Sequence, residues 1–171
     1  MNPLYNGAVH LIAACARVMS AHNAKIKKMI HGQSEAIEHI RATLGARGCD
    51  VWIHAASLGE FEQGRPMIER LKREQPDIKI LLTFFSPSGY EIRKNYSYVD
   101  AVAYLPFDKP SNVRQFLDVA KPRTVIFIKY EFWGNYLSNL KSRNIPTYII
   151  SSIFRPTQVF FKPWGGIFRN M

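Results

Sequence analysis

Two glutamates stand where an α/β sheet would carry its chemistry. Glu60 closes the run Val51-Trp52-Ile53-His54-Ala55-Ala56-Ser57-Leu58-Gly59-Glu60-Phe61, an apolar strand that enters a small-residue turn and then a helix. Glu131 follows a second apolar run, Val125 to Ile128, within Lys129-Tyr130-Glu131-Phe132-Trp133-Gly134-Asn135. A carboxylate at the carboxyl end of a parallel strand lies where such sheets bind ligands. The spacing Ser57-x-x-Glu60 has two readings. In one it is a capping box, with Glu60 folded back onto the Ser57 N–H to start the helix. In the other Glu60 is a general base that takes a proton from a hydroxyl nucleophile, and Gly59, lacking a Cβ, lets a sugar ring come close. On the pattern alone capping is the simpler reading. Glu131 is open in the same way: an acid ahead of a helix compensates its dipole, whereas two acids at two strand ends suit sugar chemistry.

Other motifs are weaker. Ser88 and Glu91 repeat the capping-box spacing after the run Phe84-Phe85-Ser86-Pro87, and free N–H groups there could meet a phosphate or sugar oxygen. Leu105-Pro106-Phe107-Asp108 reads as a plain turn, and His54, inside a strand, as a satisfied structural histidine. There is no G-x-G-x-x-G, P-loop or nucleophile elbow, and no cluster of His and Cys at metal-ligand spacing. No cofactor and no metal is therefore expected. Cys15 and Cys49, the two cysteines of the chain, fit neither a zinc site nor a disulfide framework.

The elements that must position these residues follow from periodicity. Short β-branched or aromatic runs predict strands at Asp50–Ala55, Ile78–Phe84, Ala101–Leu105, Thr124–Ile128 and Thr147–Ser151. Between them, helices are predicted at Phe61–Glu74, Gly89–Asn95, Ser111–Val119 and Phe132–Arg143. This alternation gives a Rossmann-like α/β fold, a parallel sheet with helices on both faces, over residues 49–171. Residues 1–48 read as a separate amphipathic helical segment. There Asn6, His10, Arg17 and Lys28 fall near one helical face, an arrangement suited to a helix lying in a membrane interface or packed on its own domain or a partner. Gly32 with Gln33 and Ser34 is expected to break that segment before a short helix from Glu35 to Leu44.

At 171 residues with 47% hydrophobic and 21% charged residues, the chain can bury one ordinary core. No apolar run is long enough for a membrane-spanning helix. The net charge of +10 is concentrated at the two ends. It implies an anionic partner, whether nucleic acid, an anionic lipid surface or a phosphorylated substrate.

The run Trp52-Ile53-His54-Ala55-Ala56-Ser57-Leu58-Gly59-Glu60 resembles the hallmark of the 3-deoxy-D-manno-octulosonic acid (Kdo) transferases of lipopolysaccharide synthesis. Thr83 to Gly89, Leu105-Pro106-Phe107-Asp108, Glu131-Phe132-Trp133 and Ser151-Ser152-Ile153-Phe154-Arg155 fall in that family's order and spacing. The likeness is to the Bacteroides-type version, with Lys129-Tyr130-Glu131-Phe132-Trp133 in place of a more usual Met/Pro-x-Glu-x-Trp-Pro. The resemblance implies an inverting glycosyltransferase of GT-B architecture, in which two Rossmann-like domains face a cleft. This chain would be the amino-terminal, acceptor-binding half, inactive alone, with the domain that binds the donor CMP-Kdo lying outside it. Glu60 then matches the general base and Glu131 a second catalytic acid that stabilises the transition state. Ser57, Gly59, Ser88 and Arg155 would contact the acceptor, a phosphorylated lipid A precursor, with Arg155 on a phosphate. The place of action would be the cytoplasmic face of the bacterial inner membrane, reached peripherally or by an amino-terminal anchor. The implied partners are that precursor, CMP-Kdo and the anionic membrane surface, and not nucleic acid. The rival readings are another GT-B transferase and a non-catalytic anion- or nucleic-acid-binding α/β domain.

Overall fold

The computed structural model describes residues 3–153. Two helices lead the chain, α1 (Pro3–Met19) and α2 (Ala24–Leu44). Strands and helices then alternate: β1 (Val51–Ala55), α3 (Leu58–Glu74), β2 (Ile80–Phe84), α4 (Pro87–Arg93), β3 (Ala101–Tyr104), α5 (Pro110–Ala120), β4 (Thr124–Ile128), α6 (Gly134–Ser142) and β5 (Thr147–Ile150). All strand pairs are parallel, in the order β3-β2-β1-β4-β5. The predicted α/β class is borne out, and each predicted strand and helix from Asp50 on is present within a few residues.

Strands β1, β2 and β3 are buried on both faces and read as continuous apolar runs rather than alternating ones, whereas the edge strand β5 is only partly covered, with Tyr148 exposed. Within β1 the side chains divide between two cores. Trp52 packs with Ala36, Ile40 and Leu44 of α2, Val113 and Phe116 of α5, and Tyr136 of α6. Val51, Ile53 and Ala55 pack with Phe61 and Ile68 of α3 on the opposite face. Trp52 sits at the centre of an aromatic cluster, 4.7 Å from Phe116, 5.4 Å from Phe127 and 5.5 Å from Tyr136 between ring centroids. That rigid centre fixes β1 and the turn at its end.

The first part of the chain departs from its sequence pattern. The break falls at Ser20–Asn23, where the Asn23 side chain accepts from the N–H groups of Lys25 and Ile26 and caps α2. Helix α2 then runs unbroken through Gly32. A Cβ at Gly32 would come within 2.2 Å of the Tyr104 ring, so the glycine serves close packing of α2 on β3 and does not end the helix. Lys28 consequently belongs to a different helix from Asn6, His10 and Arg17. The inward side of α1 carries Tyr5, Asn6, Ala13 and Ala16, with Tyr5 and Asn6 reaching the loops after β3 and β4. Its outward side leaves Leu4 80%, Leu11 65% and Val18 72% exposed, together with Ile12 and Met19. Among the described residues no helix is long and apolar enough to cross a membrane.

Candidate active site at the β1–β4 switch point

Strand β1 pairs with β2 on one side and β4 on the other. The chain leaves β1 and β2 toward one edge and returns through β4 toward the other, so the gap beyond β1 and β4 is the topological switch point where open sheets hold ligands. Glu60 follows β1 and Glu131 follows β4. The fold therefore brings the two predicted acids to neighbouring strand ends.

Glu60 is the third residue of α3. The Ser57 N–H donates to its Oε2 at 3.1 Å, the return half of a capping box. Among the described residues no donor reaches Oε1, which leaves that oxygen able to accept a proton from outside. The half-buried side chain is thus oriented by the cap while remaining open. Gly59 beside it is exposed, and a Cβ built there would meet nothing within 4 Å. Its backbone is not in the left-handed region, so neither turn geometry nor packing calls for glycine. Glycine in a helix costs about 0.5–1 kcal/mol relative to alanine. What it leaves is clear space over the first turn of α3, one residue before Glu60.

Glu131 is held by one local and one tertiary contact. Trp133 Nε1–H donates to its Oε2 at 2.7 Å, and the same oxygen lies 3.4 Å from Nε2 of His54. His54 is fully buried. On its other side Nδ1 is 2.9 Å from the Thr83 hydroxyl, which in turn accepts from Trp52 Nε1–H at 2.7 Å. Nδ1 also lies 3.1 Å from the Thr83 carbonyl oxygen, which can only accept, so these contacts call for a proton on Nδ1, while Nε2 makes no hydrogen bond among the described residues and stands 3.4 Å from the Glu131 carboxylate. The sequence reading of His54 as a satisfied structural histidine was incomplete, because His54 links the core of β1 and β2 to the acid at the end of β4. Strand alternation places Trp52 and His54 on one face; that pattern was the available signal.

The loop that carries Glu131 is set by two further features. Lys129, two residues earlier, adopts φ 65°, a left-handed conformation unfavourable for any residue with a Cβ. Its N–H still donates to Ile150 O at 2.9 Å, so the chain turns sharply without losing the ladder to β5. At the other end Asp108, fully buried, accepts from the N–H groups of Asn135 and Tyr136, each at 2.9 Å, and from the Tyr5 hydroxyl at 2.6 Å. A carboxylate reaching the first turn of α6 satisfies orphan N–H groups and favours the helix dipole. Burial pushes the Asp108 carboxyl above its usual range, and these three hydrogen bonds pull it back. The Asp108 motif is therefore not a plain turn: it caps a helix far along the chain and ties α1 to the Glu131 loop.

The other expected residues are placed unevenly. Ser57 lies at the mouth, part-buried, as the cap of α3. Ser88 and Glu91 form no capping box: Ser86 caps α4 by accepting from the Ser88 N–H at 3.3 Å, with Pro87 as the first helical residue. Proline's fixed φ suits that first position and sets the start two residues earlier than the Ser88 spacing indicates. Glu91 instead contacts Lys94 and Lys28, at 3.4 and 3.9 Å. Ser88 is exposed beyond β2, its hydroxyl 3.0 Å from that of Ser86. Arg155 lies outside the described residues. Among the described residues no group of three or more His, Cys, Asp or Glu is arranged to hold a metal ion.

A Rossmann-like domain with two acids at its switch point, one of them beside cleared space, belongs with the α/β domains that act on a ligand beyond their strand ends. The comparisons with known proteins define it further. The family model described as 3-deoxy-D-manno-octulosonic-acid transferase (kdotransferase) matches residues 12–171, and the chain belongs to that family. Similar relatives include the 3-deoxy-D-manno-octulosonic acid transferases of Aquifex aeolicus, 42% identical over 88 residues, 51% of this chain and 24% of the relative. That of Haemophilus influenzae is 35% identical over 104 residues, 60% of this chain and 24% of the relative. That of Chlamydia trachomatis serovar D is 26% identical over 146 residues, 80% of this chain and 33% of the relative. The chain thus spans about a quarter to a third of the length of the curated relatives it matches. A glycosyltransferase family is established by these matches, together with the parallel α/β architecture.

Proposed function

We propose that this domain forms the acceptor side of an inverting transferase that moves Kdo from CMP-Kdo to a phosphorylated lipid A precursor. The observation that carries the reading is Glu60: a carboxylate oriented by its own helix cap, with one oxygen unpaired among the described residues and bare space over Gly59, inside a chain matched by the Kdo-transferase family. In this reading Glu60 accepts the proton of an acceptor hydroxyl as that oxygen attacks the anomeric carbon of Kdo. The glycosidic bond forms on the face opposite the departing CMP. Glu131, fixed by Trp133 and His54, supplies negative charge where the sugar ring becomes positive in the transition state. Ser57 and Gly59 line the acceptor's approach, and Ser88 borders it beyond β2. The donor binds mainly in a second domain facing this one, so residues 1–171 alone are expected to bind acceptor without transfer.

The outward apolar side of α1, together with the exposed Lys25, Lys27 and Lys28 at the start of α2, supports contact with an anionic membrane surface on the cytoplasmic side. Two measurements on the full-length protein test the reading. Offered a panel of activated sugars with a lipid A precursor, it should use CMP-Kdo; preference for another donor would replace this transferase with a different one of the same architecture. Replacing Leu11 and Val18 with glutamate should abolish sedimentation with anionic vesicles, and unchanged sedimentation would remove α1 from membrane contact.

A further inference from the structure

A cavity of about 230 Å³ lies beneath α1, enclosed by α1, α2 and the start of α5. Its walls include Ala13, Ile30 and Phe107, but its polar lining is one-sided in charge. Arg17 enters from α1 and Lys109 from the start of α5, and no carboxylate lines it. Neither cation has a carboxylate partner among the described residues. Asp108, next in sequence to Lys109, is already committed to Tyr5, Asn135 and Tyr136.

Two independent features point into the same space. Gln33 of α2 lines the cavity and is 8% exposed, yet its Nε2 has no hydrogen-bond partner among the described residues. A buried amide donor left unpaired is costly unless something supplies an acceptor. Helix α5, eleven residues long, begins at Pro110 with Lys109 as its N-cap, and no side chain caps it. Its first turn therefore presents uncapped N–H groups and the positive end of a helix dipole beside Asn112, which also lines the cavity.

We propose that this cavity is an anion site for a phosphate group, separate from the Glu60–Glu131 site. Donors arrive from three elements and several directions: a guanidinium, an ammonium, a primary amide and a helix terminus. That geometry suits a tetrahedral oxyanion with acceptor oxygens on every side better than a planar carboxylate, which one arginine can satisfy. The phosphate is carried either by a small soluble ester or by a lipid headgroup. The site rests on the cavity alone and stands or falls apart from the transferase reading.

The test follows the Gln33 side-chain NH₂ resonances of the full-length protein by NMR, at fixed ionic strength set with chloride. The probes are inorganic phosphate, dihexanoyl phosphatidylglycerol below its micelle concentration, and dihexanoyl phosphatidylcholine as the zwitterionic control. Saturable shifts with inorganic phosphate identify a soluble phosphate ligand; shifts with phosphatidylglycerol alone identify a lipid headgroup. Either result supports the site. Combined Arg17→Gln and Lys109→Gln substitution should weaken the binding at least about ten-fold. Arg17 is exposed and Lys109 partly so, and neither forms an ion pair among the described residues, so the fold should persist; Gln33→Met, which removes only the amide and is followed through the Asn112 side-chain NH₂ resonances instead, should weaken binding less. No saturable shift, equal response to phosphatidylcholine, or binding unchanged in the double variant would overturn the proposal. Phosphate binding in a protein that transfers no Kdo would leave this site intact and remove the transferase instead.

Discussion

Glu60 and Glu131 occupy equivalent places, the first helix approach after β1 and after β4, but they are held by different means. Glu60 is positioned by a hydrogen bond from a backbone N–H three residues away. Glu131 is positioned by Trp133, by His54 from another strand and, at one remove, by Thr83, Trp52, Asp108 and Tyr5. Each acid has one oxygen without a partner among the described residues, so the difference lies in what holds the other: Glu60, held only by its own helix start, is suited to exchanging a proton. Glu131, held by its own loop against a buried histidine from another strand, is suited to standing still while charge develops nearby. The difference also has a consequence for mutation: damage far from Glu131 should reach it, whereas Glu60 should be insulated from everything but its own helix start.

In order of expected change in stability, the first way to break the comparison is Asp108→Ala. It leaves the Tyr5 hydroxyl and two α6 N–H groups without their acceptor, at a cost of roughly 3 kcal/mol by urea unfolding. The expected local effect is displacement of the Trp133 indole resonance with the Ser57 and Glu60 amides unmoved. The pH dependence has a definite sign. Burial raises the Asp108 carboxyl in the folded state, so the folded form holds its proton more tightly than the unfolded one. Its stabilising contribution is full below the unfolded value and is lost as pH rises through the folded value. The deficit of Asp108→Ala relative to the parent should therefore be larger near about pH 4 than near about pH 7; the opposite trend would mean that the hydrogen bonds outweigh burial.

Lys129→Gly sharpens the same side. Relief of a left-handed conformation at a residue with a Cβ should offset the added freedom of the unfolded chain, for a net gain of about 0.5–1 kcal/mol. If the constrained turn places Glu131, transfer should fall while stability rises. A smaller effect is expected on the Glu60 side. Gly59→Ala should raise thermal stability by about 0.5 kcal/mol, because alanine is the better helix former and its methyl meets open space. It should weaken acceptor binding, since that space is where the acceptor approaches; unchanged acceptor affinity would leave the glycine without a role.

This contrast also marks what was legible in the sequence. Glu60 was readable because its determinants are contiguous: apolar strand, small turn, Ser-x-x-Glu. The sheet was readable for the same reason, each strand being a short apolar run between polar turns. His54 and Asp108 were read as structural filler because their partners, Glu131 and the start of α6, lie far along the chain. Gly32 misled because a glycine inside a helix looks like a stop until the Tyr104 ring against it is known. Ser88 misled because its spacing to Glu91 imitated a cap, while Pro87 fixed the helix start one residue before it. Local hydrogen bonding was legible; close packing and long-range capping were not.

The most direct test is Glu60→Gln in the full-length protein, followed by transfer rate, acceptor affinity and thermal stability together. The amide oxygen can still accept the Ser57 N–H, so the cap, the fold and acceptor binding should be retained. Transfer should fall by about 10²–10⁴-fold, the usual contribution of a general base. Near-parent turnover in a folded, acceptor-binding Glu60→Gln protein would contradict the assignment and leave Glu60 a helix cap alone.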